Sequence, residues 1–159
     1  MTRRRVSTAL FTLVSILLAV SAYAADWNET HIYNPKWPPH AKFHDAQTML
    51  LGTLLAGATL FFTWRQRGDS ETNLIAATLA AASYWIALAA SILFPGTAYL
   101  DPEFDRPAHY VLGLPGNFFA AIVALVIVSL AAWLGFIHRD PQQVAQERGP
   151  GFREGSQPS

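Results

Sequence analysis

Four of the five histidines in this chain lie in two polar stretches that also carry carboxylates. In the longer stretch, residues 26–47, His40 and His44 are four residues apart, so on a helix they would share one face. His31 adds a third imidazole to the same stretch. Imidazole nitrogens together with carboxylate oxygens suit zinc, non-haem iron or manganese. The sequence therefore predicts a site for a divalent transition metal, zinc or iron, with His31, His40 and His44 as its ligands.

The carboxylates in these stretches offer general acid–base catalysis as a second kind of chemistry. A neutral histidine beside a carboxylate can transfer a proton near neutral pH, because imidazole titrates in that range. Asp45 and Glu29 are the candidate carboxylates, and His109 is the candidate imidazole from the second stretch. These three residues are predicted to be catalytic if the protein is an enzyme, which the pattern alone does not decide.

The longer stretch leads into a helix whose start is marked by proline. Proline suits the first position of a helix, so we expect a helix to begin near Pro39. On that helix Gln47 lies one turn deeper than His44, and it is predicted to line a pocket there. Asp45 lies beside this face, about 100° round the helix from His44.

If the last helix began near Arg106, polar residues of the second stretch would lie on one face of that helix. His109, Gly113 and Asn117 would then form one stripe, because they are spaced by four. Asn117 would lie inside the membrane, where a polar side chain needs a partner, and it is the second predicted pocket-lining residue. Pro115 would kink the helix and leave space beside Gly113.

Long uncharged segments flank these polar stretches in the sequence. Asp, Glu, Lys and Arg are absent from residues 6–25, 46–64, 72–100 and 107–138. Each segment has about the length, ~20 residues or more, that crosses a bilayer, whereas a soluble helix carries charge on its outer face. The fold class is therefore predicted to be all-α, an integral membrane bundle of four transmembrane helices. The spans are expected at about residues 6–25, 44–64, 73–94 and 112–137.

Positive charge flanks the spans unequally. Six arginines lie near span ends on one side, and the other side has only Lys36, Lys42 and Arg106. The side richer in Lys and Arg faces the cytoplasm, which predicts a multi-pass protein of the cell (inner) membrane with both termini cytoplasmic. Residues 1–138 would form the transmembrane domain. Residues 139–159, rich in Pro and Gly, are predicted to be a disordered cytoplasmic tail.

The first span can also be interpreted as a signal peptide. Arg3–Arg5 would be its charged region, Ala9–Val20 its apolar region and Ala22–Ala24 its cleavage site. Cleavage after Ala24 would leave three spans. A retained helix is favoured, because the uncharged run is long enough to span and is followed by an interfacial tryptophan, Trp27.

Two bulk properties exclude several classes of function. The formal net charge is zero, so no nucleic acid partner is expected, since no basic stripe would neutralise phosphates. The chain has no cysteine, which excludes disulfides, thiolate metal sites and thiol nucleophiles.

Residues 26–48 read DWNETHIYNPKWPPHAKFHDAQT. This stretch resembles the signature of a family of small four-helix membrane proteins of unknown function from bacteria and fungi. The resemblance covers about residues 5–138 and implies a retained first helix and four spans. It implies no activity, substrate or catalytic residue.

Three functions remain open, all with the lipid bilayer as surroundings. The first is a membrane enzyme that acts on a lipid or hydrophobic small molecule at the outer leaflet. The second is a haem-binding subunit with His44 and His109 as axial ligands. The third is a non-catalytic accessory, assembly or ligand-binding subunit that packs against a membrane protein partner. An alternative to all three is that these polar residues, which lie at a membrane interface, only bind water and lipid headgroups.

Overall fold

The computed structural model describes residues 2–137 of the chain. Within that range it has four long helices: α1 (Arg3–Asp26), α2 (Pro39–Trp64), α3 (Ser70–Ala90) and α4 (Gly116–Ile137). All four are long and apolar enough to cross a membrane. The predicted fold class, an all-α bundle of four helices of membrane-spanning length, is confirmed. The predicted tail, residues 139–159, lies outside the described residues.

Consecutive helices lie side by side, and α4 completes the bundle by packing against α1. The faces of α3 and α4 that point into the bundle carry mainly alanine, including Ala81 and Ala121, both at most 1% exposed. Small side chains let helix backbones approach closely, which improves the van der Waals packing that helps helices associate in lipid. Long apolar side chains such as Leu54 and Leu79 point outward, where acyl chains would surround them.

The first helix is an integral part of this core. Phe11, Val14 and Leu18 of α1 are almost completely buried. The Ser7 hydroxyl also donates a hydrogen bond of 2.7 Å to the carbonyl of Ala131 on α4. Removal of this helix would expose one side of the core.

We term the end of the bundle that carries residues 27–38 and 91–115 the outer end, following the predicted orientation. As predicted, α2 begins at Pro39. At the opposite, inner end, the short connection between α2 and α3 ends at Asp69, whose carboxylate accepts a hydrogen bond of 2.7 Å from the backbone N–H of Thr72. This cap satisfies one of the free N–H groups at the start of α3.

The second outer connection differs from the sequence prediction. A 3₁₀ turn at Pro107–His109 leads into a small antiparallel hairpin of β1 (Tyr110–Val111) and β2 (Leu114–Pro115). The fourth helix begins only at Gly116, so a helix start near residue 106, which a stripe of His109, Gly113 and Asn117 would require, is not observed.

The turn of this hairpin explains why no helix runs from residue 106 into α4. Leu112 and Gly113 both have positive φ angles, 51° and 81°. Successive residues in this region form a tight hairpin turn and cannot continue a right-handed helix. His109, Gly113 and Asn117 therefore do not share a helical stripe, and Pro115 precedes α4 rather than kinking it.

Candidate metal centre

Three side chains that can bind metal converge at the outer ends of α1 and α2. Asp26 is the last residue of α1, His31 lies in the first outer connection, and Asp45 lies in the second turn of α2. Each offers one ligand atom, and these atoms all lie within 4.8 Å of one another. Within residues 2–137, no other group of three or more His, Asp and Glu side chains is this close. We term these three residues the outer centre.

The spacing between Asp26 and His31 is close to that of two ligands on one ion. The Nε2 atom of His31 lies 3.7 Å from Oδ1 of Asp26. Two ligands at the usual zinc distances in tetrahedral geometry would be roughly 3.4 Å apart. A small movement of either side chain would therefore suffice to bring both onto one metal ion.

A chain of hydrogen bonds determines which nitrogen of His31 carries the proton. The Asn28 amide donates to the carbonyl of Ala25 at 2.6 Å, so its Oδ1 atom is free to accept the Thr30 hydroxyl proton, also at 2.6 Å. Thr30 Oγ1, having donated its only proton, must accept from Nδ1 of His31 at 2.6 Å. The neutral ring then has its lone pair on Nε2, the nitrogen that faces Asp26.

Asp45 is the buried member of the outer centre. The residue is 8% exposed, and its Oδ2 atom is buried with no hydrogen-bond partner. A buried carboxylate oxygen without a partner is costly, and the other two members add a second carboxylate and an imidazole lone pair nearby. A cation or a proton between these groups would remove the repulsion.

The first outer connection is held rigidly around His31. The Asn34 side chain, in a residue 2% exposed, donates to the carbonyl of Thr30 at 3.3 Å and accepts from the N–H of Lys36 at 2.9 Å. Trp37 packs edge-on against the His31 ring with centroids 5.0 Å apart. The His31 side chain is therefore positioned by contacts within its own connection rather than by a helix.

The second outer connection supports the first through two contacts. Lys36 Nζ donates to Glu103, and Trp37 Nε1 donates to Asp101 at 3.4 Å. We term these two contacts the outer clasp; it lines an open groove of about 430 Å³. The hydrogen bond from Lys36 holds the pKa of Glu103 below its usual value.

His40 and His44 form a separate pair on the exposed face of α2. Their Nε2 atoms are 3.1 Å apart, and Nδ1 of His44 is 3.1 Å from Oε1 of Gln47. All three residues are exposed, unlike Asp45. The structure therefore brings the two predicted ligands of α2 together, but it places His31 with Asp26 and Asp45 instead.

The remaining predicted site residues lie elsewhere. Glu29 is exposed, and the exposed His109 donates through Nδ1 to the carbonyl of Phe104 within its own connection. Asn117, half-buried, donates to the carbonyl of Tyr99 at 3.1 Å and thereby ties the second outer connection to the start of α4. None of the three belongs to the outer centre. His44, the second proposed haem ligand, is engaged with His40 and Gln47.

The fold and the outer centre define a class of protein: a multi-pass four-helix membrane protein with one compact polar centre at the end of the bundle. Residues 10–138 match the family of unknown function DUF6640, and the chain belongs to that family. The matched range includes all three residues of the outer centre. No curated protein and no solved structure matches the chain.

Proposed function

We propose that this membrane protein binds a divalent transition metal ion, zinc or iron, at the outer centre. The observation that carries the proposal is the buried, unpartnered Oδ2 of Asp45 in a group whose ligand atoms lie within 4.8 Å of one another. Imidazole nitrogen and carboxylate oxygen, the donors of this group, are donor types that zinc and non-haem iron use in proteins. Three protein ligands leave at least one position for water or substrate, as in catalytic sites.

The hydrogen bonds behind His31 support this proposal. Metal-bound histidines usually donate their other ring N–H to an acceptor that fixes the tautomer. Thr30 is such an acceptor for Nδ1 of His31, and Thr30 is itself held by Asn28. The Nε2 lone pair is thereby directed toward Asp26 before any ion binds.

The position of the outer centre favours a lipid or a hydrophobic small molecule as the substrate. The centre lies where apolar helices end, beside the exposed Trp27 and Tyr33, whose side chains hydrogen-bond to each other at 2.6 Å. Such amphipathic rings prefer the headgroup layer of a bilayer. A metal ion at this level would supply Lewis-acid activation of a carbonyl, ester or phosphoryl oxygen.

Membrane orientation belongs to the same proposal. With both termini in the cytoplasm of a cell whose inner membrane holds the protein, the outer centre faces the extracytoplasmic side. The bias of arginine toward the inner flanks supports this orientation. The buried residues of α1 support a retained first helix, and the intact mass of the purified chain would test its retention.

The metal content of the purified protein tests the central proposal. After expression with added zinc and iron, the protein should hold one equivalent of metal per chain by elemental analysis. Asp45→Asn and His31→Ala should reduce that content severalfold, whereas Glu29→Gln, a change of an exposed carboxylate in the same connection, should keep it. Metal-free wild-type protein, or full occupancy in Asp45→Asn, would contradict the proposal.

A second candidate is metal-free acid–base chemistry at the same residues. The 3.7 Å contact between His31 and Asp26 favours it, because this pair can share a proton. Activity on a lipid substrate that survives complete removal of metal, but is lost in His31→Ala, would select this candidate over the first.

A further inference from the structure

The outer histidine pair, His40 and His44, forms a chelating geometry that the outer centre does not use. The two Nε2 atoms are 3.1 Å apart, near the roughly 3.3 Å that separates two imidazole nitrogens on one tetrahedral zinc ion. Both residues lie in the first two turns of α2, so their separation is set by helix geometry rather than by a flexible loop.

Gln47 prepares one of the two rings for metal binding. Its Oε1 atom can only accept a hydrogen bond, so Nδ1 of His44 carries the proton and Nε2 carries the lone pair. Without an ion, Nε2 of His40 donates to that lone pair. With an ion, His40 adopts the other neutral tautomer, and both Nε2 atoms can coordinate.

An aromatic neighbour restricts the two rings further. Phe43 is stacked on His40 with ring centroids 6.2 Å apart and meets the His44 ring edge-on at 5.4 Å. These contacts limit the rotamers of both imidazoles. Less conformational entropy is therefore lost when a metal ion fixes them.

The pair is independent of the outer centre. Asp45 follows His44 directly, but adjacent residues of a helix point about 100° apart. Asp45 is buried inside the bundle, while His40 and His44 are exposed. One ion cannot serve both sites.

We propose that His40 and His44 form a second metal site, open to water, that takes a borderline divalent ion such as zinc, nickel or copper. Two protein ligands leave the other positions to water or to a ligand in solution, so binding is weaker and exchanges faster than at the outer centre. Imidazole nitrogen donors favour copper and nickel over manganese or magnesium. The protein would therefore hold one enclosed ion and one exchangeable ion at the same end of the bundle.

Titration of chelator-treated protein with nickel or zinc, in detergent or nanodiscs, tests this proposal. Wild-type protein should show a second, weaker class of one ion per chain. His40→Ala and His44→Ala should each abolish that class, and Gln47→Ala should weaken it about tenfold or more. His109→Ala, a change of an exposed imidazole outside the pair, should leave it unchanged.

Two further measurements keep this site distinct from the outer centre. Asp45→Asn should remove the tight class and keep the weak one. Wild-type protein that shows the weak class but no tight class would contradict the proposed function and leave the second site intact. Copper bound at the weak class should show coupling to two imidazole nitrogens in its electron paramagnetic resonance spectrum. A weak class that survives in both alanine variants would overturn the second site, as would a copper spectrum without imidazole coupling.

Discussion

Nε2 of His31 faces Oδ1 of Asp26 at 3.7 Å, while Nδ1 of the same ring is held by Thr30 at 2.6 Å. In the tautomer that Thr30 selects, two hydrogen-bond acceptors face each other across this gap. The arrangement becomes favourable only when a proton or a cation lies between them. The chemistry of the outer centre therefore depends on whether a proton or a metal ion lies between Nε2 of His31 and Oδ1 of Asp26.

Thr30→Val tests the role of the hydrogen bond behind His31. Valine has nearly the same shape but cannot accept from Nδ1, so the tautomer and the ring orientation are no longer fixed. We expect metal affinity at the outer centre to fall about 10- to 100-fold, measured by competition with a chelating dye. Thr30→Ser keeps the hydroxyl and should bind nearly as tightly as wild type. Equal affinity in the valine and serine variants would show that the bond has no such role.

Titration of Glu103 tests the outer clasp. The hydrogen bond from Lys36 lowers the pKa of Glu103 in the folded protein. A lowered folded pKa means that the pair stabilises the fold fully above the unfolded value, about 4.3, and that this stabilisation is lost as pH falls through the lower folded value. Carboxyl NMR should give a pKa below 4.3 that returns to the ordinary range in Lys36→Met. Lys42→Met is the matched control and should leave it unchanged. A normal pKa in wild type would contradict the ion pair.

Cysteine labelling tests the orientation of the bundle. The chain has no cysteine, so each single substitution introduces the only thiol. Glu29→Cys and Gln66→Cys place that thiol at exposed positions near opposite ends of the helices. In intact cells a membrane-impermeant maleimide should label position 29 but not position 66, and both should react after lysis. The reverse pattern would place the outer centre in the cytoplasm.

Gly135→Val tests the close packing near the inner end of α4. A Cβ atom at Gly135 would lie 2.9 Å from both methyl groups of Leu74 and 3.1 Å from the Ser7 hydroxyl oxygen. We expect overpacking to lower the free energy of unfolding by about 1–3 kcal/mol, measured by reversible unfolding in mixed micelles. Gly57→Val is the control, because a Cβ there would meet nothing within 4 Å. Comparable effects of both substitutions would mean that helix propensity, not packing, dominates.

The helices could be predicted because lipid imposes one requirement on their whole length. Outward residues in the spans must be uncharged and mostly apolar, so charge marks the boundaries, as at Arg65 after α2. The start of α2 at Pro39 was equally predictable, since proline is favoured at the first helical position. The start of α4 was not. Leu112 occupies a turn position that usually holds Asn, Asp or Gly, so the sequence showed no hairpin before Gly116.

The outer centre was only partly predictable. Asp45 and His31 were candidates from the sequence, but Asp26 was not. A signal was present, because a carboxylate in the last turn of a helix is opposed by the helix dipole and so indicates another role. Which histidine joins the two aspartates depends on the path of residues 27–38, set by contacts such as those of Asn34, and periodicity does not encode that path.

All three residues of the outer centre come from residues 26–45: Asp26 ends α1, Asp45 lies near the start of α2, and His31 lies in the connection between them. An ion bound there would hold the end of α1 against the start of α2 in the folded protein, which has no cysteine and so no disulfide to do this. An ion that binds the folded arrangement but not the unfolded chain stabilises the fold by its binding free energy. In the metal-bound protein, α1 and α2 would therefore be the last pair of helices to separate, and chelation would loosen the bundle first at its outer end.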